Sequence, residues 1–168
     1  MKKQIVKINK TEIIEKIIAG DNCYGNYVIA INPETGKNRI HWSEDNRQWD
    51  YWGKNDVIFS IPALDPDGSS KASEDAEDIL KRLALTDEAE ALRESEDIGW
   101  VEAAERLAPE DWEVNRKETV EYLADEFLNL LNGNSDDDPA PWGYETDPWG
   151  QPIPHTEIAP PFEFEWSI

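Results

Sequence analysis

The sequence predicts an α+β protein in which a small, mainly antiparallel sheet with one helix is followed by an acidic helical segment and a Pro/Trp-rich C-terminal tail. Three observations predict this class. Short β-branched runs bounded by turn residues, a pattern typical of strands, occur up to residue 61. Apolar residues then recur at helical spacing up to residue 131. Beyond residue 134 this periodicity ends, and seven of the eleven prolines follow.

A chain of 168 residues corresponds to one ordinary domain or two small ones. The changes in composition divide it into a small α+β unit at residues 1–64, a linker at 65–72, an acidic helical segment at 73–133 and a tail at 134–168. The linker assignment depends on its aspartates, glycine and serines, which favour turns.

The N-terminal unit begins with alternating polar and apolar residues at 4–8, which predict a strand. Asn9 and Glu12 have the spacing of a capping box for a helix that stops at Gly20. The isoleucines expected to form the buried face of this helix are Ile13, Ile14, Ile17 and Ile18.

Three further β-branched and aromatic runs predict the rest of the sheet, at residues 27–31, 39–42 and 56–61. Residues 32–37 combine asparagine, proline and glycine, so we expect a turn that joins the first two runs as a hairpin.

Aromatic and basic residues alternate between the last two predicted strands. They are Trp42, Trp49, Tyr51 and Trp52, with Arg39, Arg47 and Lys54. Such a mixture can stack the bases of a single-stranded nucleic acid. The alternative is that the rings close one face of the sheet, and we favour it because the acidic remainder of the chain would repel a nucleic acid.

The middle segment has the apolar spacing of four helices. The expected N-terminal capping residues are Ser73, Thr86, Ser95 and Asn115. Pro109 is expected to end the third helix and Gly133 the fourth, which is the longest.

The net charge of −21 is unevenly distributed along the chain. Residues 1–64 hold nine Lys/Arg against eight Asp/Glu, residues 65–117 hold seven against seventeen, and residues 118–168 hold none against twelve. A generally solubilised surface would spread its acids evenly. Segregated acid instead favours a directed field that attracts a basic partner and repels nucleic acid, although a plain solvated surface stays an alternative.

The tail contains two similar motifs, Pro141-Trp142-Gly143 and Pro148-Trp149-Gly150, which we expect to present indoles on extended backbone to a partner. Residues 161–168 alternate aromatic and acidic side chains, so they could add a strand to a sheet edge of this protein or of a partner. The alternative is a tail that wraps back over its own domain. The residues that we predict to bind a partner are Glu74, Asp75, Glu77, Asp78, Asp87, Glu88, Glu90, Glu94, Asp136, Asp137, Asp138, Trp142 and Trp149.

Several function classes lack support in the sequence. The single cysteine, Cys23, cannot form an internal disulfide, and the start of the chain lacks the apolar core of a signal peptide, so we expect a cytoplasmic protein. No apolar run is long enough to span a bilayer. His41 and His155 lie in no nucleophile or metal-ligand pattern, so we expect no catalytic site, no metal and no cofactor.

These observations favour a nucleic-acid mimic: an inhibitor that blocks a basic nucleic-acid-binding protein by electrostatic and steric occlusion, as a phage anti-defence or immunity-type protein would. Direct binding of nucleic acid or of a membrane is not expected. The alternative is a non-catalytic assembly or adaptor protein whose acidic aromatic tail recruits a partner. No motif identifies a family.

Overall fold

The computed structural model describes residues 2–21, 25–44, 55–66, 70–134 and 140–167. Within these ranges the protein is α+β with small, mainly antiparallel sheets, as the sequence predicts. The strands are β1 (Gln4–Asn9), β2 (Asn26–Ile31), β3 (Asn38–Ser43), β4 (Val57–Ser60), β5 (Tyr144–Thr146), β6 (Pro152–Glu157) and β7 (Phe162–Ser167). The helices are α1 (Lys10–Ala19), α2 (Ser70–Arg82), α3 (Thr86–Glu96), α4 (Trp100–Leu107) and α5 (Pro109–Leu131).

The central strand of the largest sheet is β2, which pairs antiparallel with β3 on one side and β4 on the other. The turn between β2 and β3 is held by Asn32, whose Oδ1 accepts the backbone N–H groups of Glu34 and Thr35 at 2.9 and 3.2 Å. Gly36 closes the turn at a φ of +74°, a conformation that costs glycine little. The predicted hairpin is confirmed.

A second, two-stranded sheet joins the two ends of the chain. β1 pairs in parallel with β7, so that Val6 lies opposite Phe164. Both of these side chains are buried, whereas Lys7 and Glu165 point outward and form an ion pair at 2.5 Å. The C-terminal segment therefore adds a strand to the protein's own sheet, which was one of the two expected outcomes.

Helix α1 begins at the predicted cap, where Asn9 Oδ1 accepts the backbone N–H of Glu12 at 3.0 Å. Ile13 and Ile17 are fully buried beneath it. The expected burial of Ile18 is wrong, because this side chain is 59% exposed. Four isoleucines within six positions cover more of the helix circumference than a single packing partner can shield.

None of the four residues predicted to cap the middle helices is an N-cap: Ser73, Ser95 and Asn115 lie inside helices, and Thr86 is the first residue of α3, whose N-cap is Leu85. Helix α2 begins at Ser70, within the predicted linker, so Ser73 is an interior residue. Helix α3 continues through Ser95 to Glu96 and ends where Asp97 takes a left-handed conformation with a φ of 54°. Serine and threonine favour N-caps, but tertiary packing decides where the first turn starts.

Helix α5 is longer than the sequence predicts. Pro109 follows the end of α4 as expected, but it also begins α5, so the predicted start at Asn115 is wrong. Proline suits this position, since the first N–H groups of a helix have no intrahelical partner and its fixed φ is already helical. The helix ends as predicted, just before Gly133, whose φ is +71°.

Two hydrophobic cores lie along α5. Its first half contributes Trp112 to a core that α2, α3 and α4 build largely from alanines. Its second half contributes Val120, Phe127 and Leu131 to a larger core beneath the strands and α1. One continuous helix thus connects the acidic helices to the sheets, and a rigid rod of this kind fixes where the acidic helices lie.

Candidate acidic interface

The acidic residues predicted to bind a partner on α2 and α3 are exposed, with one exception. On α2, Glu74, Glu77 and Asp78 have the spacing that places side chains on one helix face. On α3, Asp87, Glu90 and Glu94 follow a single stripe, with Glu88 beside it. Apart from Asp75, the buried residues of both helices are small or aliphatic, and the other carboxylates are exposed.

The acids of the described chain fall into two groups according to their partners. One group forms ion pairs within the fold; its members are Asp65, Asp75, Glu96, Glu102, Asp125 and Glu165. Many other acids, among them Glu118, Glu121 and Glu126 of α5, have no cation within 4.0 Å among the described residues. We call the seven such acids predicted on α2 and α3 the unpaired set: Glu74, Glu77, Asp78, Asp87, Glu88, Glu90 and Glu94. Among the described residues, no Lys, Arg or His nitrogen lies within 4.0 Å of a carboxylate of the unpaired set.

Asp75 is the exception, and its predicted place in the interface is a correction. Asp75 is only 9% exposed. One of its carboxylate oxygens lies 2.8 Å from Lys71 Nζ, and the other lies 3.4 Å from Arg116 Nη2. A buried carboxylate is stable only when cations or hydrogen bonds compensate for the lost water. Asp75 therefore holds α2 against α5 and does not face a partner.

Arg116 is the centre of this network and is not among the residues predicted from the sequence. Its Nη1 donates to Asp65 Oδ1 at 2.9 Å, and its guanidinium lies 4.5 Å from the centre of the Trp112 ring. The pKa of Lys71 is raised above its ordinary value, first by the hydrogen bond that Lys71 donates to Asp75 and then by the negative charge of Asp75. The only signal in the sequence was an arginine in an otherwise acidic region, which does not identify its partners.

Trp142 is also a correction, because its indole belongs to the larger core. The residue is 7% exposed, and its Nε1 donates to the backbone oxygen of Leu131 at 2.8 Å. Phe59 meets the ring edge-on at 5.0 Å between centroids, and Phe164 stacks on it at 5.9 Å. Burial with a satisfied N–H is the most stable arrangement for a tryptophan, so the first Pro-Trp-Gly motif closes the fold.

Trp149, in the second motif, is 83% exposed. It lies at the tip of the β5–β6 hairpin, where Asp147 Oδ1 accepts the backbone N–H groups of Trp149 and Gln151, each at 2.9 Å. Gly150 donates to the backbone oxygen of Asp147 at 3.0 Å and has a φ of +83°. The indole is therefore presented from a hydrogen-bonded turn, where the sequence predicted extended backbone.

One predicted group lies wholly outside the described ranges, and another lies only partly within them. Asp136, Asp137 and Asp138 lie outside the described residues. Of the aromatic and basic cluster, Trp42 packs edge-on against Tyr27 at 4.9 Å between ring centroids. This contact agrees with rings that pack on the sheet, whereas Trp49, Tyr51, Trp52, Arg47 and Lys54 lie outside the described residues.

The basic residues near the N-terminus meet acidic and aromatic residues from the last part of the chain. Lys10 Nζ lies 4.0 Å from Asp125 Oδ1 and 5.9 Å from the centre of the Trp166 ring. Trp166 Nε1 donates to the same Asp125 oxygen at 3.3 Å. Through these contacts and the Lys7–Glu165 ion pair, the N-terminal cations Lys7 and Lys10 help to hold β7 in place.

The described ranges contain no grouping of three or more His, Cys, Asp or Glu side chains suited to a metal ion. Among the helices described, none combines the length and the apolarity that a membrane span requires.

Comparison of the chain with protein-family models, with curated proteins and with solved structures finds no match.

Proposed function

We propose that this protein is an inhibitor that occupies the basic nucleic-acid-binding surface of another protein with the carboxylates of α2 and α3. The observation that carries the proposal is the unpaired set itself. Seven exposed acids lie together on two adjacent helices, and no Lys, Arg or His nitrogen of the described residues lies within 4.0 Å of their carboxylates. Their field is therefore left for an external partner.

The spacing of these acids suits the imitation of a phosphate array. Side chains three or four positions apart on a helix stand about 5–6 Å apart, and phosphates follow one another at about 3.4 Å of rise along a nucleic acid strand. The helices rest on buried alanines, among them Ala76, Ala89 and Ala103, whose short side chains permit close helix packing. A compact, rigid array loses little entropy when it binds.

The partner that fits is a protein with a groove lined by Lys and Arg. Nucleic acid itself would be repelled by a chain with a net charge of −21. Occlusion needs no catalytic step, since the inhibitor and the nucleic acid compete for the same cations. We place this function in the cytoplasm, where nucleic-acid-binding proteins are found.

The test begins with capture on the immobilised full chain from an extract of the source cells, followed by identification and purification of the captured protein. The purified partner is then titrated with the full chain in the presence and absence of duplex DNA. We expect this protein and the duplex DNA to compete for the partner. The association rate of this protein with the partner is expected to fall steeply as salt rises. A partner that binds this protein and DNA at the same time would overturn the proposal.

Two variants that remove equal charge test which part of the surface binds the partner. One replaces Glu74, Glu77 and Asp78 of α2 by their amides, and the other does the same to Glu118, Glu121 and Glu126 of α5. All six acids are exposed. We expect the α2 variant to weaken binding more. Equal weakening would indicate a general acidic surface, with no interface centred on α2 and α3.

The alternative, an adaptor that recruits a partner through its tail, keeps one supporting observation. Part of the tail is folded into the body, with Trp142, Phe162 and Phe164 buried, but Trp149 and most of the β5–β6 hairpin stay exposed. A salt series separates the two proposals, because docking of the Trp149 indole in an apolar groove of a partner loses little affinity at high ionic strength whereas an electrostatic interface loses much.

A further inference from the structure

The hairpin that carries Trp149 holds one residue whose exposure the fold itself does not explain. An indole buries up to about 250 Å² of surface when it packs, yet this one is 83% exposed. Its backbone is fastened by hydrogen bonds of 2.9 Å from Trp149 and Gln151 to Asp147 Oδ1. A tryptophan that is presented from a fixed turn has already lost the backbone entropy that docking would otherwise cost.

Other tryptophans of this chain show what their ring faces bind. The guanidinium carbon of Arg93 lies 4.1 Å from the centre of the Trp100 ring, and that of Arg116 lies 4.5 Å from Trp112. Lys10 Nζ lies 5.9 Å from the centre of the Trp166 ring. Each pair has the geometry of a cation–π interaction.

Trp149 lacks such a partner within the part of the chain that the structure describes: no Lys or Arg group of that part lies over its ring. Residues 118–168 contain neither lysine nor arginine. The same hairpin instead carries Glu145, Asp147 and Glu157. The negative face of the indole quadrupole and these carboxylates attract the same kind of group, a cation.

We propose that Trp149 is a docking residue for a cationic side chain, an arginine in the first place, on a basic partner protein. Arginine is favoured over lysine because its planar guanidinium stacks on an aromatic ring while its N–H groups reach neighbouring carboxylates. A second copy of this chain is a poor occupant, since each copy carries a net charge of −21. The inference rests on the proposed function for the class of partner, but it uses a different element, the β5–β6 hairpin.

The experiment uses the full chain labelled with 5-fluorotryptophan and follows its eight indoles by ¹⁹F NMR. Octa-arginine is the probe, and octa-citrulline, which has nearly the same shape without the charge, is its matched control. The Trp149 resonance is assigned from its loss in Trp149→Leu. We expect octa-arginine to shift this resonance, and octa-citrulline to leave it in place. Trp149→Leu is expected to weaken octa-arginine binding about two- to fivefold, the range of an exposed cation–π contact.

A second exposed aromatic residue supplies the positional control. Tyr122 on α5 is 64% exposed and has acids around it, so Tyr122→Leu removes a comparable ring from another acidic surface. An effect equal to that of Trp149→Leu would overturn the assignment, as would an unmoved Trp149 resonance at saturating octa-arginine. An equal response to octa-citrulline would also overturn it, because the contact would then not depend on charge. A Trp149 shift that follows protein concentration, with dimers in sedimentation, would replace the basic partner by a second copy.

The amide variant of Glu74, Glu77 and Asp78 separates this inference from the proposed function. If that variant binds octa-arginine more weakly while Trp149→Leu binds normally, the inference about Trp149 fails and the proposed acidic interface stands. If only Trp149→Leu binds more weakly, the docking residue stands and the α2 acids are removed from the interface.

Discussion

Asn132 pairs with Phe164 as a neighbouring strand would. Its Oδ1 accepts the backbone N–H of Phe164 at 2.7 Å, and its Nδ2 donates to the backbone oxygen of the same residue at 2.9 Å. β7 is paired with β1, so this side chain satisfies one residue of β7 from beyond the end of α5. An amide can do this because it carries a donor and an acceptor side by side, as a peptide group does.

Replacement of Asn132 by alanine is expected to lower the free energy of unfolding by about 1–3 kcal/mol, because two partly buried backbone groups lose their partner. Urea denaturation followed by circular dichroism measures the change. Asn134→Ala is the matched control, since Asn134 is exposed and lies two positions further along. A midpoint for Asn132→Ala that equals the control would show that water replaces the amide at no cost.

Arg116→Met is expected to lower the free energy of unfolding by about 2–3 kcal/mol. Removal of one partner from a fully buried ion pair costs about 3–5 kcal/mol, and here Asp75 keeps Lys71 while Asp65 is partly exposed. Arg116→Lys is expected to recover only part of the loss, because an ammonium lacks the fixed fork of N–H groups with which Arg116 contacts both Asp65 and Asp75. Full recovery of stability in Arg116→Lys would contradict a role for the simultaneous contacts of Arg116 with Asp65 and Asp75.

The stability of the protein depends on the protonation of Lys71, and therefore on pH in the alkaline range. Its pKa in the folded protein is raised above the ordinary value of 10.5, first by the hydrogen bond to Asp75. Folding therefore favours the protonated form, and this contribution is fully present below pH 10.5 and is lost as pH rises through the raised pKa. Because Lys71 is half exposed, solvent screening keeps the effect small.

The prediction is that wild type is more stable than Lys71→Gln by a constant amount at neutral pH, and that the difference shrinks above pH 10.5. Urea midpoints measured from pH 7 into the alkaline range check it. A difference that persists at high pH would mean that the alkyl chain of Lys71, and not its charge, stabilises α2.

The two Pro-Trp-Gly motifs are expected to respond in opposite ways. Trp142→Ala removes a buried ring and leaves a cavity, which costs about 3–5 kcal/mol of stability. Trp149→Ala changes an exposed side chain and is expected to alter stability by no more than about 0.5 kcal/mol. Thermal melts of the two variants in parallel measure the contrast, and comparable losses would contradict the exposure of Trp149.

Signals between near neighbours in the chain determined much of the fold. The cap at Asn9 and the turn at residues 32–37 depend on hydrogen bonds within a few residues, so the sequence alone predicts them. The class of fold and the segregation of charge also follow directly from the sequence. The starts of α2 and α5 did not, because several serines, asparagines and a proline compete to begin each helix.

Only the tertiary structure decided which member of a similar pair of residues is buried and which is exposed. Trp142 and Trp149 occupy matching motifs, yet one lies against Phe59 and Phe164 while the other faces solvent. Asp75 stands beside Glu74 in the chain, but it lies on the buried face of α2, where Arg116 of α5 pairs with it. Local propensity does not say which member of each pair is buried. The difference comes from contacts between residues that are far apart in the chain, and composition and periodicity carry no information about these.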